Sequence, residues 1–400
     1  MSKKWYDPHA LYVTLVIFLI IGLFSRIHLN LHFLDPLSHS IKDYEATDIV
    51  YSQIRDQTVE PDSQIVLVNS GWPDRTRISA MLDRILEADA AVVGVDIFFS
   101  GAKNPSGDSL LQASIMRGGE RIVLATALSD YDPELGQFKT VAVDDSMFSN
   151  YTRTGFANFP GNPTRTVRHF SASEHGPDGP VPAFAVEIAR AFRADADQIL
   201  RQRGHNLERI HYSATEDHFF RLEPEHILDS MVDLRPLLAG KMVILGYSGS
   251  GEWNEPLLDR YFTPLNPRYT GKSTPDMYGM VIHANIIRML LRGTFINTVP
   301  AWVNGLLAFL ICYLNLIVLI WISHRYHGVY HPIARLIQIV QFAIYFFIIA
   351  FLFERFRLKW DFSLGLIALA LAVDTQLVYF ALRNYIHRRF FGRNPAHSGH

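Results

Sequence analysis

Asp96 stands near the end of an apolar run, AVVGVDIFFS at 91–100. A lone carboxylate there has four uses: acid–base catalysis, metal ligation, contact with a ligand, or acceptance of backbone N–H groups. The first two need a second donor at fixed spacing, and no carboxylate or histidine lies close by in sequence. The pattern favours ligand contact or a scaffold role, because a buried carboxylate without donors is costly. Asn69 and Ser70 end a second apolar run, QIVLVNSG, and Ser248 and Glu252 sit in GYSGSGE, so these four join Asp96 as candidate ligand contacts. The glycines of GYSGSG would let backbone N–H groups approach an anion. The stretch still lacks the Gly-Lys-Ser/Thr ending of a P-loop and the GxGxxG spacing. Ser250 is not framed by GxSxG, so no serine nucleophile is expected. His324, His327 and His331 are spaced for one helical face, but Gly328 and Pro332 interrupt that helix and argue against a metal. No catalytic residue, metal or cofactor is expected, and the chain reads as a non-enzyme.

The elements that must position these residues alternate in period. Residues 64–71 read as a buried strand and 77–90 as a helix, with Ile78, Met81, Leu82, Ile85 and Leu86 on one face. A strand at 91–100, a helix at 108–119 and a strand at 121–128 follow. That order predicts an α/β domain with a mainly parallel sheet and right-handed crossovers. Beyond it, 181–204 reads as one helix, 205–240 as a small antiparallel excursion, 241–251 as a buried strand and 278–293 as a helix. In a parallel sheet, ligands bind outside the carboxyl ends of strands. If the strands ending at Asn69, Asp96 and Tyr247 are neighbours, their polar ends converge.

Four apolar segments frame this domain: 10–24, short for a span but extended by Leu29, Leu31 and Phe33, then 301–322, 336–353 and 362–380, each about the length of a bilayer span. Lys3, Lys4, Arg325, Arg335, Arg383, Arg388, Arg389 and Arg393 fall on one side, against Arg355, Arg357 and Lys359 on the other. This bias predicts both termini in the cytoplasm. The resulting division is a stub and transmembrane anchor at 1–34, an outer domain at 35–297, a three-helix bundle at 298–382 and a basic tail at 383–400. Asn304, Asn315, Gln338, Gln341 and Asp374 would be expensive facing lipid, so they are expected to point into the bundle or at a partner helix. The single cysteine, Cys312, rules out an intramolecular disulfide and a Cys-based zinc site. A net charge of -2 without a basic face gives no sign of a nucleic-acid partner.

The order of these parts, with Gly94-Val95-Asp96-Ile97, a glycine-ended LAGKMVILGYSGSG, RYFTP, and Val281-Ile282-His283-Ala284-Asn285 before three spaced spans, resembles the CHASE type 2 family. GFANFPGNPTRTVRHF at 155–170 adds to the likeness. The resemblance implies a bacterial extracytoplasmic sensory domain of the kind associated with cyclases and histidine kinases. It also implies an inner-membrane protein with its large domain in the periplasm. Members commonly carry acidic residues where this chain has Asn69-Ser70, which weakens any case for a cation at that point. Members also commonly continue into a cytoplasmic output module, whereas only a short tail follows the last span here, so a separate effector protein is expected. His283 and Asn285 are candidates for coupling the domain to the second span. Self-association stays open, and so does an alternative reading as a structural subunit of an envelope complex.

Overall fold

The computed structural model describes residues 7–26, 45–54, 61–72, 74–142, 146–161, 165–249, 259–266 and 274–391. The chain divides into two compact units, Ser40–Ile296 and the flanking stretches Met1–His39 with Asn297–His400.

In the first unit, a short helix α2 (Ala46–Ile49) precedes strand β1 (Asp62–Asn69), helix α3 (Arg75–Glu87), β2 (Val92–Asp96), α4 (Pro105–Gly118) and β3 (Ile122–Asp132). Next come β4 (Gln137–Ala142), α5 (Ser146–Ser149), β5 (Arg153–Phe156), β6 (His169–Ser171), and the hairpin of β7 (Ser173–Gly176) and β8 (Gly179–Pro182). Helices α6 (Phe184–Phe192) and α7 (Gln198–Arg203) lead to β9 (Leu207–Arg209), β10 (Phe219–Leu222), α8 (Pro224–Leu228), α9 (Arg235–Leu238) and β11 (Met242–Gly246). β12 (Arg260–Tyr261), β13 (Met277–Tyr278) and α10 (Gly279–Arg292) complete it.

The main sheet runs β10-β1-β11-β2-β3, with every one of these pairings parallel. The first half of β3 pairs in parallel with β5 and its second half in antiparallel with β4. Side chains alternate across a strand, so Val66, Val68, Val93, Val95, Val243 and Leu245 form one core with α3 and α4. The opposite face is covered by α6 and α10. Both faces are thus buried, which is why β2 and β11 read as unbroken apolar runs. Gly94 sets the distance of α6: a Cβ there would lie 2.3 Å from Ile188 Cδ1 and 3.0 Å from Phe184 Cζ. Asp74 caps α3, accepting from the Arg77 N–H at 2.8 Å, and Asn104 caps α4, accepting from the Ser106 N–H at 3.1 Å.

Two expectations need correction. The helix expected at 181–204 is two helices, broken at Arg193, whose backbone is extended. Asp197, fully buried in the break, binds Arg190 of α6 (2.7 Å) and Arg201 of α7 (3.3 Å) and holds the bend. The segment 205–240 is not an antiparallel excursion throughout. Only β9 pairs antiparallel, with β6. β10 is instead the parallel edge strand on β1, and the short α8 and α9 follow it.

The second unit holds α1 (Pro8–Ser25), α11 (Ala301–Arg325), α12 (Tyr330–Phe356) and α13 (Ser363–Phe391), all long and apolar enough to cross a membrane. A two-residue bridge of β14 (Asn297–Thr298) to β15 (Leu358–Lys359) lies beside them. Ala10, Val13 and Ile17 pack with Cys312, Leu316, Ala368 and Ala372, where small side chains bring helices close. The last helix continues as far as Phe391, well past the apolar stretch that ends near 380.

Candidate functional site

The carboxyl ends of β1, β11 and β2 are neighbours, and Asn69, Gly246 and Asp96 stand in register across them. Because Val93 and Val95 face α3 and α4, Asp96 falls on the side of α6 and α10.

The candidates in this row divide by what they have left to offer. Asn69 is 2% exposed and donates from Nδ2 to Glu223 Oε2 (2.7 Å) and to the Gly249 carbonyl (2.6 Å). Its Oδ1 accepts from the Gly71 and Ser248 amides at 3.1 and 3.0 Å. An amide can do little more than this, so Asn69 ties the ends of β1 and β11 together. Ser70 supports the same join, its N–H donating to the Gly246 carbonyl at 2.8 Å. Ser248 is buried, and among the described residues its Oγ has no partner. Glu252 lies outside the described residues.

Asp96 differs from these. Among the described residues no donor reaches its carboxyl, so the backbone N–H groups expected to satisfy it are not there. Its charged neighbour is instead a second carboxyl, that of Asp259. The geometry that joins them runs through two glycines. A Cβ on Gly246 would stand 3.1 Å from Asp96 Cβ and 3.6 Å from Met280 Cβ, and one on Gly279 would stand 2.9 Å from Asp259 Oδ1. Both acids therefore border the first turn of α10. The Gly279 amide, first of that helix, donates to the Asp259 carbonyl at 3.0 Å and also supports its carboxylate, as does the Tyr261 hydroxyl. The positive end of a helix favours such a charge. Asp259 adopts φ 53°, the left-handed region, to present itself there.

Burial pushes the Asp96 carboxyl up strongly, and the adjacent Asp259 charge pushes it further. Asp259 is itself solvent-exposed and Asp96 half-buried; desolvation of the Asp259 carboxyl still raises it, opposed by its bonds from Tyr261 and Gly279. The Tyr261 hydroxyl is raised too, first by burial and then by the Asp259 charge, and stays protonated. Two like charges in one partly dry pocket are repelled, so the pair retains a proton that ordinary carboxyls would have lost.

Aromatic rings line this end of the sheet. Exposed Trp72 lies 4.9 Å from Tyr247, which lies 6.1 Å from Tyr278. The Arg260 guanidinium sits over Tyr278 at 4.4 Å and donates to its hydroxyl at 2.6 Å, so it is turned to that ring. Phe159 packs on Tyr261 (5.1 Å) and stacks on His283 (4.8 Å), whose ring also meets Phe184. His283 is 4% exposed with no partner at Nδ1, and burial lowers it to about 3, so it is neutral. Asn285 is fully used: its Oδ1 accepts from the Ser213 and Ala214 amides, both at 2.9 Å, and its Nδ2 donates to the Ala214 and Val281 carbonyls. It pins α10 to the 213–214 segment. A separate cavity of about 280 Å³ opens on the α3 and α4 side of β2, lined by Arg75, Ile97, Phe98 and Lys103. It includes neither Asp96 nor Asp259.

In the apolar unit, Gln341 donates to Asn315 Oδ1 (2.8 Å), and Gln338 donates to the Leu369 carbonyl (2.7 Å). Asp374 is paired with Arg335 at 2.7 Å on the helix surface. Asn304 bonds the Val299 carbonyl at the start of its own helix. Among the described residues no three His, Cys, Asp or Glu side chains are grouped to hold a metal.

Sequence reasoning passed over Asp259, Tyr261 and Trp72. The signal for the first two was present in LLDRYFTP, where the acid directly precedes the RYFTP stretch. Its distance along the chain from Asp96 concealed the pairing.

No curated protein and no solved structure matches this chain. The family model described as the CHASE2 domain matches residues 11–320, from the first apolar helix across the whole α/β unit into the second apolar helix. That extent, over the fold just described, means that the chain belongs to the CHASE2 domain family, a family of extracytoplasmic sensory domains.

Proposed function

We propose that the protein is a membrane-embedded sensor whose α/β domain lies outside the cytoplasmic membrane and whose apolar helices relay its state to a separate effector protein. The observation that carries this reading is the Asp96–Asp259 pair. Two carboxyls lie by the first turn of α10 without a cation among the described residues, whereas the buried Asp48, Asp62 and Asp108 are each matched by an arginine. A scaffold would gain from matching these acids too; a sensory domain needs an element that is poised between two states. The distribution of Arg325, Arg335, Arg383, Arg388 and Arg389 against Arg355 and Arg357 supports a cytoplasmic position for both ends of the chain. We take the protein as a non-enzyme, since Asn69 spends its hydrogen bonds on Glu223 and backbone, and Asn285 on backbone, with none offered to a substrate.

Cross-linking in intact cells from the 383–391 stretch tests the relay. A sensor is expected to show a partner whose cross-linking yield differs between wild type and Asp96→Asn. An identical pattern in both would favour the alternative, a structural subunit whose outer domain serves as a docking platform.

A further inference from the structure

We infer that the Asp96–Asp259 pair is a proton-operated switch, so that the input read by this domain is the acidity of the compartment it faces. The inference rests on the sensor reading and specifies its stimulus. Its basis is a cluster of groups rather than a single acid. Asp96 stands at the end of β2 and Asp259 one residue before β12; Asp96 Cβ lies by Gly246 and Met280, and the Asp259 carboxyl by Gly279, so both border the first turn of α10.

The surroundings decide which groups can respond. β1 offers Asn69, which is uncharged, and β11 offers Gly246 and Tyr247. β12 contributes Asp259, Tyr261 and Arg260, the last directed to Tyr278 of β13. α10 contributes His283, kept neutral by burial, while its Arg288 and Arg292 lie at the far end with Asp62. α6 packs on β2 through Phe184 and Ile188, and its Glu187 and Arg190 are engaged with Arg153 and Asp197. Asp276, before β13, accepts from the Thr263 amide and hydroxyl and is raised to about 6, and Asp48 is raised by burial against the pull of Arg168; both titrate alongside the pair, so the Asp96→Asn and Asp259→Asn variants are what assign the change to it.

With one proton on the pair, the carboxyls can lie together and Asp259 stays on the helix start. As pH rises, that proton passes to solvent and leaves two carboxylates that repel each other. β12 is the element able to yield, since β2 is held on both sides in the sheet. Movement of β12 has a bonded route onward: the Phe262 carbonyl accepts from the Val167 N–H at 2.8 Å, and the next residue, Arg168, grips Asp48 of α2. In sequence, α2 lies on the stretch that follows the first apolar helix.

The test is hydrogen exchange of the full chain in lipid discs, in chelator-treated buffer, from about pH 5 to about pH 9, normalised for intrinsic exchange. Wild type is expected to lose about tenfold protection at 278–283, a change of about 1.4 kcal/mol, with a parallel loss at 46–54. Asp96→Asn and Asp259→Asn should each hold the acid-side protection at all pH values. A flat wild-type profile, or a wild-type slope retained in a folded variant, overturns the switch. Should one variant fail to fold, the other decides, together with infrared titration of wild type, where a protonated-carboxyl band must fade across the same window. Cross-linking to the effector at the two pH extremes separates the readings. Switching exchange with unchanged cross-links refutes the sensor relay alone, and changed cross-links with flat exchange refute the proton switch alone.

Discussion

Asp108 and Asp96 are both carboxylates near the carboxyl edge of the sheet, and the molecule holds them in opposite ways. Asp108 accepts from Arg75 Nη1 at 2.5 Å and from the Lys103 amide at 2.9 Å, and the guanidinium holds it below the usual carboxylate range. Asp48 with Arg168, and Glu45 with Arg209 at 2.8 Å, repeat the pairing at the start of the domain, although burial still raises Asp48 against the pull of Arg168. Asp96 has a second acid where these have a guanidinium, and its carboxyl is driven up. The contrast teaches that partner and burial together set the charge of each acid: an arginine overcomes burial at Asp108 and only opposes it at Asp48. Paired acids fix the fold, whereas the mismatched acids give it something to titrate.

The contrast breaks first where an arginine is removed. Arg168→Met leaves Asp48 buried without its cation and should cost about 3–5 kcal/mol in denaturant unfolding of the full chain. A loss below about 1 kcal/mol would mean that the buried pair is not holding the domain. A smaller effect of opposite sign is expected at Asp96. A carboxyl raised in the folded state binds a proton that the unfolded chain has released, so the domain loses stability as pH climbs from the ordinary carboxylate range through the raised one. Asp96→Asn should therefore melt about 2–4 °C above wild type at about pH 9 and lose that advantage at acid pH. Asp108→Asn should destabilise at neutral pH, and matching signs for the two substitutions would erase the distinction. The smallest effect belongs to Arg77, exposed and paired with exposed Glu225 at 3.3 Å. Arg77→Ala should fall within about 0.5 kcal/mol, which calibrates the other three.

Much of this architecture was legible before any coordinates. The apolar periods of 64–69 and 92–96 encode the two buried strands, and the spacing of Ile78, Met81, Leu82, Ile85 and Leu86 encodes the helix between them. The convergence of Asn69, Asp96 and the glycine end of β11 followed from the habit of parallel sheets once the strands proved adjacent. The bend at 193–197 was not legible, because Asp197 works through two arginines that periodicity treats as surface charge. β10 escaped because a short edge strand such as FFRL has too few residues to display a period. The acid pair was out of reach for a different reason. It is a contact between the end of one strand and the residue before another, and local sequence carries no record of which distant ends meet.

The place of β11 has a consequence for how the chain is made. β1 and β2 are near neighbours in sequence, yet they never pair with each other, because β11 lies between them. A nascent chain that has delivered β1, α3, β2 and α4 still lacks the strand that fills the gap. β1 and β2 must wait with open edges until residues 242–246 arrive, a short stretch before the second apolar helix. Such long-range pairing is slow and leaves sticky edges exposed. Completion of this domain is thereby tied to the moment when its last strand and the helix bundle emerge, which makes a truncated chain a danger to the cell that translates it.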